Sequence, residues 1–411
     1  MTMRMGIVRR IVLPAVAMAL AAAMAATGRC DEAVAEDAAA HPATHVQTAT
    51  IKVAVEGASL PLQTFCLDSR GNILAGLGDG AGEIRMLDAD GKLLKSWKTP
   101  VAPEAINTAP DGAVLVAGGG KLLKYDRDGN LLLEKESPHA ASIKENTAKI
   151  REDVINQFAQ RSQVYEQQVE LYEAEIKKLK AQGELSDLDQ RRVAAYERNI
   201  EALRRYVAQN ADNKPSEEQI AQQVAAMSVY KLKTASISAS GKDVFVAVPA
   251  MVGYGYDVWR MSDQFDDAES IVTGLRGCCG QMDVQCNADG VFVAENSRHR
   301  VCRYDRDGEL ITTWGQRATE GVVGFGSCCN PMNVAFGPGG DVYTAESTTG
   351  RIKRYSPDGK LLGLVGSVDL VPGCKKVSIA VSRDGSRVYM LDITRTHIVL
   401  MTRQADKEAA Q

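Results

Sequence analysis

The chain has 411 residues, with 48 Lys and Arg against 52 Asp and Glu, a formal charge of -4 and a pI near 5.9. That balance gives no basic footprint for nucleic acid, and the length suits one large domain with an insertion. Nine cysteines are an odd number, so at least one thiol is left over from any pairing within the chain.

The N-terminus, MTMRMGIVRR followed by IVLPAVAMALAAAMA, is a basic segment and an apolar run with Ala23-Met24-Ala25 as a small-residue cleavage site. Residues 1–25 are read as an export signal. The run is shorter than the roughly 20 residues of a membrane span and carries Pro14, so cleavage is favoured over a retained anchor; the membrane is a partner only if the segment stays. Arg9-Arg10 loosely resembles a twin-arginine signal. Arg29 stands where a lipoprotein signal ending at Cys30 wants a small residue. Residues 26–44, acidic and alanine-rich, are expected to be a disordered spacer. The destination is the periplasm or cell envelope.

Turn phrases then recur: DADGKLL at 88–94, DRDGNLL at 126–132, DRDGELI at 305–311 and SPDGKLL at 356–362. Each sets Gly after Asp between apolar runs, the mark of a tight hairpin. A second set (SRGNILA, PDGAVLVA, ASGKDVFVA, ADGVFVAE, PGGDVYTAE, SRDGSRVYM) falls between them. Two hairpins per unit make four strands, and units forty to fifty residues apart are the pattern of propeller blades. Six units are predicted, with innermost strands near 62, 104, 232, 281, 331 and 376. The sixth lacks a fourth strand, which HVQTATIKVAV at 45–55 supplies, closing the ring and leaving no sheet edge unpaired.

Residues 138–228 interrupt the repeat. Ile155, Phe158, Ser162, Tyr165, Val169, Tyr172, Ile176 and Leu179 alternate at three and four, a heptad seam. Gly183 breaks it, Ser186 and Asp187 can cap a new start, and Val193, Tyr196, Ile200, Leu203 and Val207 repeat the pattern. An antiparallel hairpin is predicted, its first arm about 60 Å long at 1.5 Å per residue. Pro215-Ser216-Glu217 opens a third helix, whose Ile220, Val224 and Met227 would pack on the hairpin base. The rod is either self-contained or an arm for a coiled-coil partner or self-association.

GVFVAENSRHRVCRYDRDG at 290–308 and DVYTAESTTGRIKRYSPDG at 341–359 resemble the NHL repeat signature of strand, acidic residue, polar loop, basic pair, apolar strand and Asp-Gly turn. The resemblance covers most of residues 45–402. It implies an all-β fold, a six-bladed NHL-type β-propeller with an inserted antiparallel α-helical hairpin between blades 2 and 3. Residues 45–137 would hold the closing strand and blades 1–2, 229–402 blades 3–6, and 403–411 a disordered tail. NHL members are mostly binding platforms with a few enzymes, among them the zinc-dependent peptidylglycine amidating lyase. A histidine set like that enzyme's would have to come from His139, His299 and His397. Gluconolactonase-like chemistry on a bound calcium would need tunnel acids in more blades than carry them.

Two cysteine pairs precede the innermost strands of blades 4 and 5. Aligned on the Asp-Gly turns, Cys278-Cys279 matches Cys328-Cys329, and Cys374 matches the second member of each pair. These links share one face of a propeller, the top, with the helical rod and with the ends of the second strands, where Glu295, Glu346 and Asp392 stand; His299 and His397 lie in neighbouring links. Three chemistries remain open. A bond between adjacent cysteines would be strained, because neighbouring Cα atoms lie about 3.8 Å apart and disulfides prefer about 4.4 Å or more. Bonds between blades would staple the rim of an exported protein. A thiolate-rich site for zinc or copper could use Cys278, Cys279, Cys328, Cys329 and Cys374, with help from Glu295, Glu346, His299 and His397. Met282 and Met332 also repeat, as core residues or as thioether ligands for copper.

Cys66, Cys286 and Cys302 fall inside predicted strands as small buried hydrophobes. Glu295 and Glu346 match the family's loop-orienting acid, and Arg300 and Arg351 its bracing arginine, a place taken by His397 in the sixth unit. Tyr254 and Tyr256 are either a stacking surface or strand residues. No nucleophile elbow or phosphate loop is present. Two functions follow as expectations: a non-catalytic scaffold binding a protein, glycan or small ligand on the top face, or a metal or redox enzyme using the sulfur-rich rim.

Overall fold

The structure is a computed structural model, described over residues 41–53, 61–181, 183–211, 215–318, 321–327, 329–369, 373, 376–392 and 394–404. The signal and most of the spacer, Cys30, Cys328, Cys374 and residues 405–411 lie outside the described residues, while Arg403, expected in the disordered tail, instead ends the last strand by pairing with His45. No described helix is long and apolar enough to cross a membrane.

The fold is mostly β. Six four-stranded antiparallel sheets each run in chain order, spanning 62–99, 105–136, 236–276, 283–314 and 333–367, while the sixth joins 379–403 to His45–Lys52. In that sheet His45–Lys52 pairs with His397–Arg403, so the first and last described strands are hydrogen-bonded together. The first strand of each sheet touches the first strand of the next, and the sixth touches the first. Such a ring suggests a β-propeller.

Strand composition follows position in the ring. The second strands, such as Val114–Gly118 and Gly290–Glu295, are buried on both faces because a neighbouring sheet lies on each side, so they read as unbroken apolar runs. Each valine or phenylalanine hidden there contributes about 1.5–3 kcal/mol. The outermost strands face solvent instead: in Leu131–Glu136 four of the six residues are exposed and none is buried.

The Asp-Gly turns do more than reverse the chain. Each presents its aspartate to a cation of the preceding sheet: Asp90 to Arg387, Asp128 to Lys95, Asp307 to Arg260 and Asp358 to Arg303. The glycine then fits against that sheet. Gly308 has φ +90°, and a Cβ there would lie 2.0 Å from the carbonyl oxygen of Ile271. Only glycine meets both demands.

Between the second and third sheets stand four helices: α1 (Pro138–Glu145), α2 (Thr147–Lys180), α3 (Asp187–Ala211) and α4 (Glu217–Lys231). The first long arm contains every position of its heptad seam but is shorter than the predicted length of about 60 Å. Helix α2 has 34 residues, about 51 Å, because the helix breaks at Asn146, whose side chain turns back to the Ser142 carbonyl. Partners along α2 and α3 run in opposite order (Tyr165 with Tyr206, Glu173 with Arg204, Lys180 with Glu197), so the two helices are antiparallel. Of the seam positions Val169, Val193 and Ile200 are buried, while Val164 and Leu171, which lie off the seam, are open to solvent.

Helix α4 starts from a capping box, Ser216 receiving the Gln219 N–H while the Gln219 side chain receives that of Ser216. Its Ile220 and Met227 join Ile143, Ile150 and Val154 in a core at the base of the arm. That base is tied to the third sheet. Lys231 Nζ donates to the carbonyls of Ala250 (2.6 Å) and Gly253 (3.1 Å), and Tyr254 donates to Gln157 of α2. Tyr254 is exposed, whereas Tyr256 is buried with its hydroxyl 3.2 Å from that of Tyr230.

Candidate functional site

The links that enter the fourth and fifth inner strands bring three sulfurs together. Cys278 Sγ lies 3.6 Å from Cys279 Sγ, which lies 3.4 Å from Cys329 Sγ, and all three fall within 4.8 Å of one another. Both separations exceed the roughly 2.05 Å of a covalent disulfide. Local backbone sets this arrangement. Cys279 and Gly280 hold left-handed φ values of 58° and 70°, and the Cys278 N–H donates to the Asn296 side chain at 2.8 Å. Beneath them Gln281 Nε2 donates to the carbonyls of Met332 and Val377, stitching the fourth, fifth and sixth units at one point. Cys329 is wholly buried and Cys279 exposed, so the group runs from core to surface.

The other proposed ligands are engaged elsewhere. Glu295 is buried, with one carboxylate oxygen accepting from the Arg276 N–H and Arg298 and the other from Arg300. Glu346, equally buried, accepts from the Gly326 N–H and Arg351 on one oxygen and faces Lys353 Nζ at 3.0 Å on the other. Both acids orient loops and neutralise cations, which takes them out of any ligand set. Asp392 behaves alike, holding the backbone N–H and hydroxyl of Thr394.

Among the described residues, the three cysteines are the only His, Cys, Asp or Glu side chains gathered closely enough to hold a metal. His299 sits in a left-handed turn, its pKa lowered by burial and by Arg317. His397 bonds to Thr396 and stands 4.0 Å from Asp392. His139 is buried in α1 against Ser137. The three histidines therefore do not converge. Met282 and Met332 are fully buried in the core, and Cys66, Cys286 and Cys302 are buried in their strands. Burial pushes the Cys286 thiol up to about 12, which makes it inert.

Beside the sulfurs opens a cavity of about 480 Å³. Cys279 lines it, with Lys233, Lys376 and Arg395 as its cations, Glu104 and Asp79 as its acids, and Tyr230 of α4 on one wall. Lys376 also lines a narrower cavity of about 200 Å³ inside the ring. Its Nζ donates to the carbonyls of Glu104 (2.5 Å) and Ala235 (3.2 Å), and burial lowers its pKa to about 8 against the opposing pull of Glu104. Glu104 in turn has its pKa raised by burial while accepting the Thr234 N–H. Arg395, with a left-handed φ of 60°, donates to Gln63 across the seam between the sixth and first sheets.

Apart from Cys279, none of these cavity residues stands out in the sequence. The signal that could have found most of them is position: Glu104, Lys233 and Lys376 occupy the same link before an inner strand that Cys279 and Cys329 occupy in the fourth and fifth units.

No family model and no curated protein matches the chain. Among solved structures, a catalytically inactive variant of virginiamycin B lyase from Staphylococcus aureus with quinupristin is 12% identical, covering 85% of this chain and 83% of that one at a TM-score of 0.44. The selenomethionine-substituted form of that lyase is 12% identical, covering 89% of each chain at 0.44. A protein of unknown function from Bacteroides thetaiotaomicron is 10% identical, covering 89% of this chain and 74% of that one at 0.48. Likenesses of this degree say nothing of activity, and the fold stands on the sheets themselves.

Proposed function

We propose that the chain is an exported, NHL-type six-bladed β-propeller, with the helices as an arm inserted between blades 2 and 3, and that it works as a binding scaffold. Its ligand is a small molecule bearing an anionic group, held in the mouth where the arm meets the ring. The observation that carries this reading is the cavity of about 480 Å³, within the range of about 300–1,000 Å³ common to ligand sites, with three cations against two acids. Arg395 offers a planar fork for a carboxylate or phosphate, and Lys233 a mobile point charge. Tyr230 places the arm on the wall of the same mouth, which gives the insertion a part in recognition.

The test is a thermal-shift screen of the mature protein against citrate, glucose 6-phosphate and glucose. The reading expects at least one anion to raise Tm and neutral glucose to leave it unchanged. The gain should vanish in Lys233→Ala with Arg395→Ala. A folded double variant that keeps the full shift would overturn it. The second reading, a metal or redox enzyme, is favoured by one observation, the three sulfurs on the lip of the same mouth.

A further inference from the structure

The three sulfurs support a site of their own, independent of any ligand in the mouth. We propose that Cys278, Cys279 and Cys329 form a three-thiolate site for a thiophilic d10 cation, Zn²⁺ or Cu⁺. Zinc–thiolate bonds of about 2.3 Å set the edge of a sulfur tetrahedron near 3.8 Å. The observed separations of 3.6 and 3.4 Å approach that edge, and the third stays within 4.8 Å, so little rearrangement brings all three sulfurs onto one ion.

The site is built rather than incidental. Cys278 is fixed through Asn296, whose side chain also donates to the Gln281 carbonyl at 3.0 Å. Gln281 fixes the neighbouring links through Met332 and Val377. Cys329 approaches from the fifth unit, wholly buried, so closing the site joins two sheets. On the open side Cys279 lines the cavity, which provides an entry path. Soft sulfur selects Zn²⁺ and Cu⁺ over hard cations such as Mg²⁺ or Ca²⁺. Binding forms three metal–sulfur bonds and releases one proton from each thiol to solvent, so affinity rises with pH. No electron is transferred.

The experiment uses the full mature chain, reduced and freed of metal under anaerobic conditions. In one arm Co²⁺ is titrated in and then displaced by Zn²⁺; a thiolate-to-cobalt charge-transfer band saturating at one equivalent is expected. In the other, Cu⁺ is partitioned against bicinchoninate. One equivalent held in either arm supports the site. Cys279→Ser and Cys329→Ser should each weaken binding by more than the roughly 10–100-fold that loss of an outer-shell partner costs. Cys286→Ser, a buried strand thiol, should leave it unchanged. Circular dichroism confirms that each variant is folded. Failure of the folded wild type to hold one equivalent in either arm, or retention of full affinity by both lip variants, would overturn the proposal. A bond between Cys279 and Cys329 that survives reductant would overturn it as well.

Discussion

Lys353 and Glu346 face each other inside the fifth unit, Nζ 3.0 Å from Oε1, with neither side chain reaching solvent. Lys353 also donates to the Gly324 carbonyl and lies 4.1 Å from the centre of the Phe325 ring. Burial lowers the Lys353 pKa to about 8, with Glu346 holding it up. Removing Lys353 leaves the buried Glu346 with Arg351 still beside its other oxygen, so Lys353→Met should cost about 3 kcal/mol in urea unfolding, the low end for breaking a buried pair. Glu346→Gln combined with Lys353→Met should recover part of that loss. Additive costs in the double-mutant cycle would show that the two groups are not coupled.

His139 gives the stability a pH dependence. Burial lowers its pKa from 6.5 to about 4, partly opposed by backbone groups of Leu232 and Lys231. Between those values the unfolded chain binds the proton and the folded chain does not, so the contribution is complete above about pH 6.5 and is lost as pH falls towards 4. A shift of this size corresponds to about 3 kcal/mol. Denaturation curves at pH 7.5 and 4.5 should separate wild type from His139→Gln, the variant lacking this component of the slope. Equal slopes would remove His139 as the cause.

Gly308 and Gly71 both hold positive φ, +90° and +84°, but a Cβ on Gly71 meets nothing within 4 Å. Substitution by alanine at Gly71 should cost only the left-handed backbone, roughly 1–2 kcal/mol. Gly308→Ala adds a clash with Ile271 and should cost distinctly more. Equal losses would mean that this turn does not bear on the preceding sheet.

Lys376 should make anion binding in the mouth depend on pH. With its pKa lowered to about 8, it loses its charge as pH rises through that value. Affinity for an anionic probe that binds at pH 7 should therefore fall between pH 7 and 9, and Lys376→Met should bind more weakly with a flatter profile. A wild-type affinity constant over that interval would exclude Lys376 from the site.

The repeating units were legible because their signals are local. Asp-Gly turns need particular residues wherever they occur, and second strands buried on both sides read as apolar runs. The cross-sheet pairing of Asp307 with Arg260 was not legible, since nothing in the turn names its partner. Alignment of the turns placed Cys279 and Cys329 in equivalent links, and their sulfurs lie 3.4 Å apart. The same alignment left Glu295 and Glu346 between two roles, and Arg300, Arg298, Arg351 and Lys353 decide for bracing because they reach the carboxylates first. The mouth escaped notice because Glu104, Lys233, Lys376 and Arg395 come from separate links and share no residue type. The break at Asn146 was hidden inside a helix-favouring stretch.

The central claim is that the mouth between arm and ring holds a small anion-bearing ligand. A crystal structure of the mature protein grown with the strongest stabilising anion of the thermal-shift screen tests it most directly. The account predicts ligand density in the cavity, its anionic group within hydrogen-bond distance of Arg395 and Lys233 or Lys376. Well-ordered ligand bound elsewhere, with the mouth empty, would contradict it.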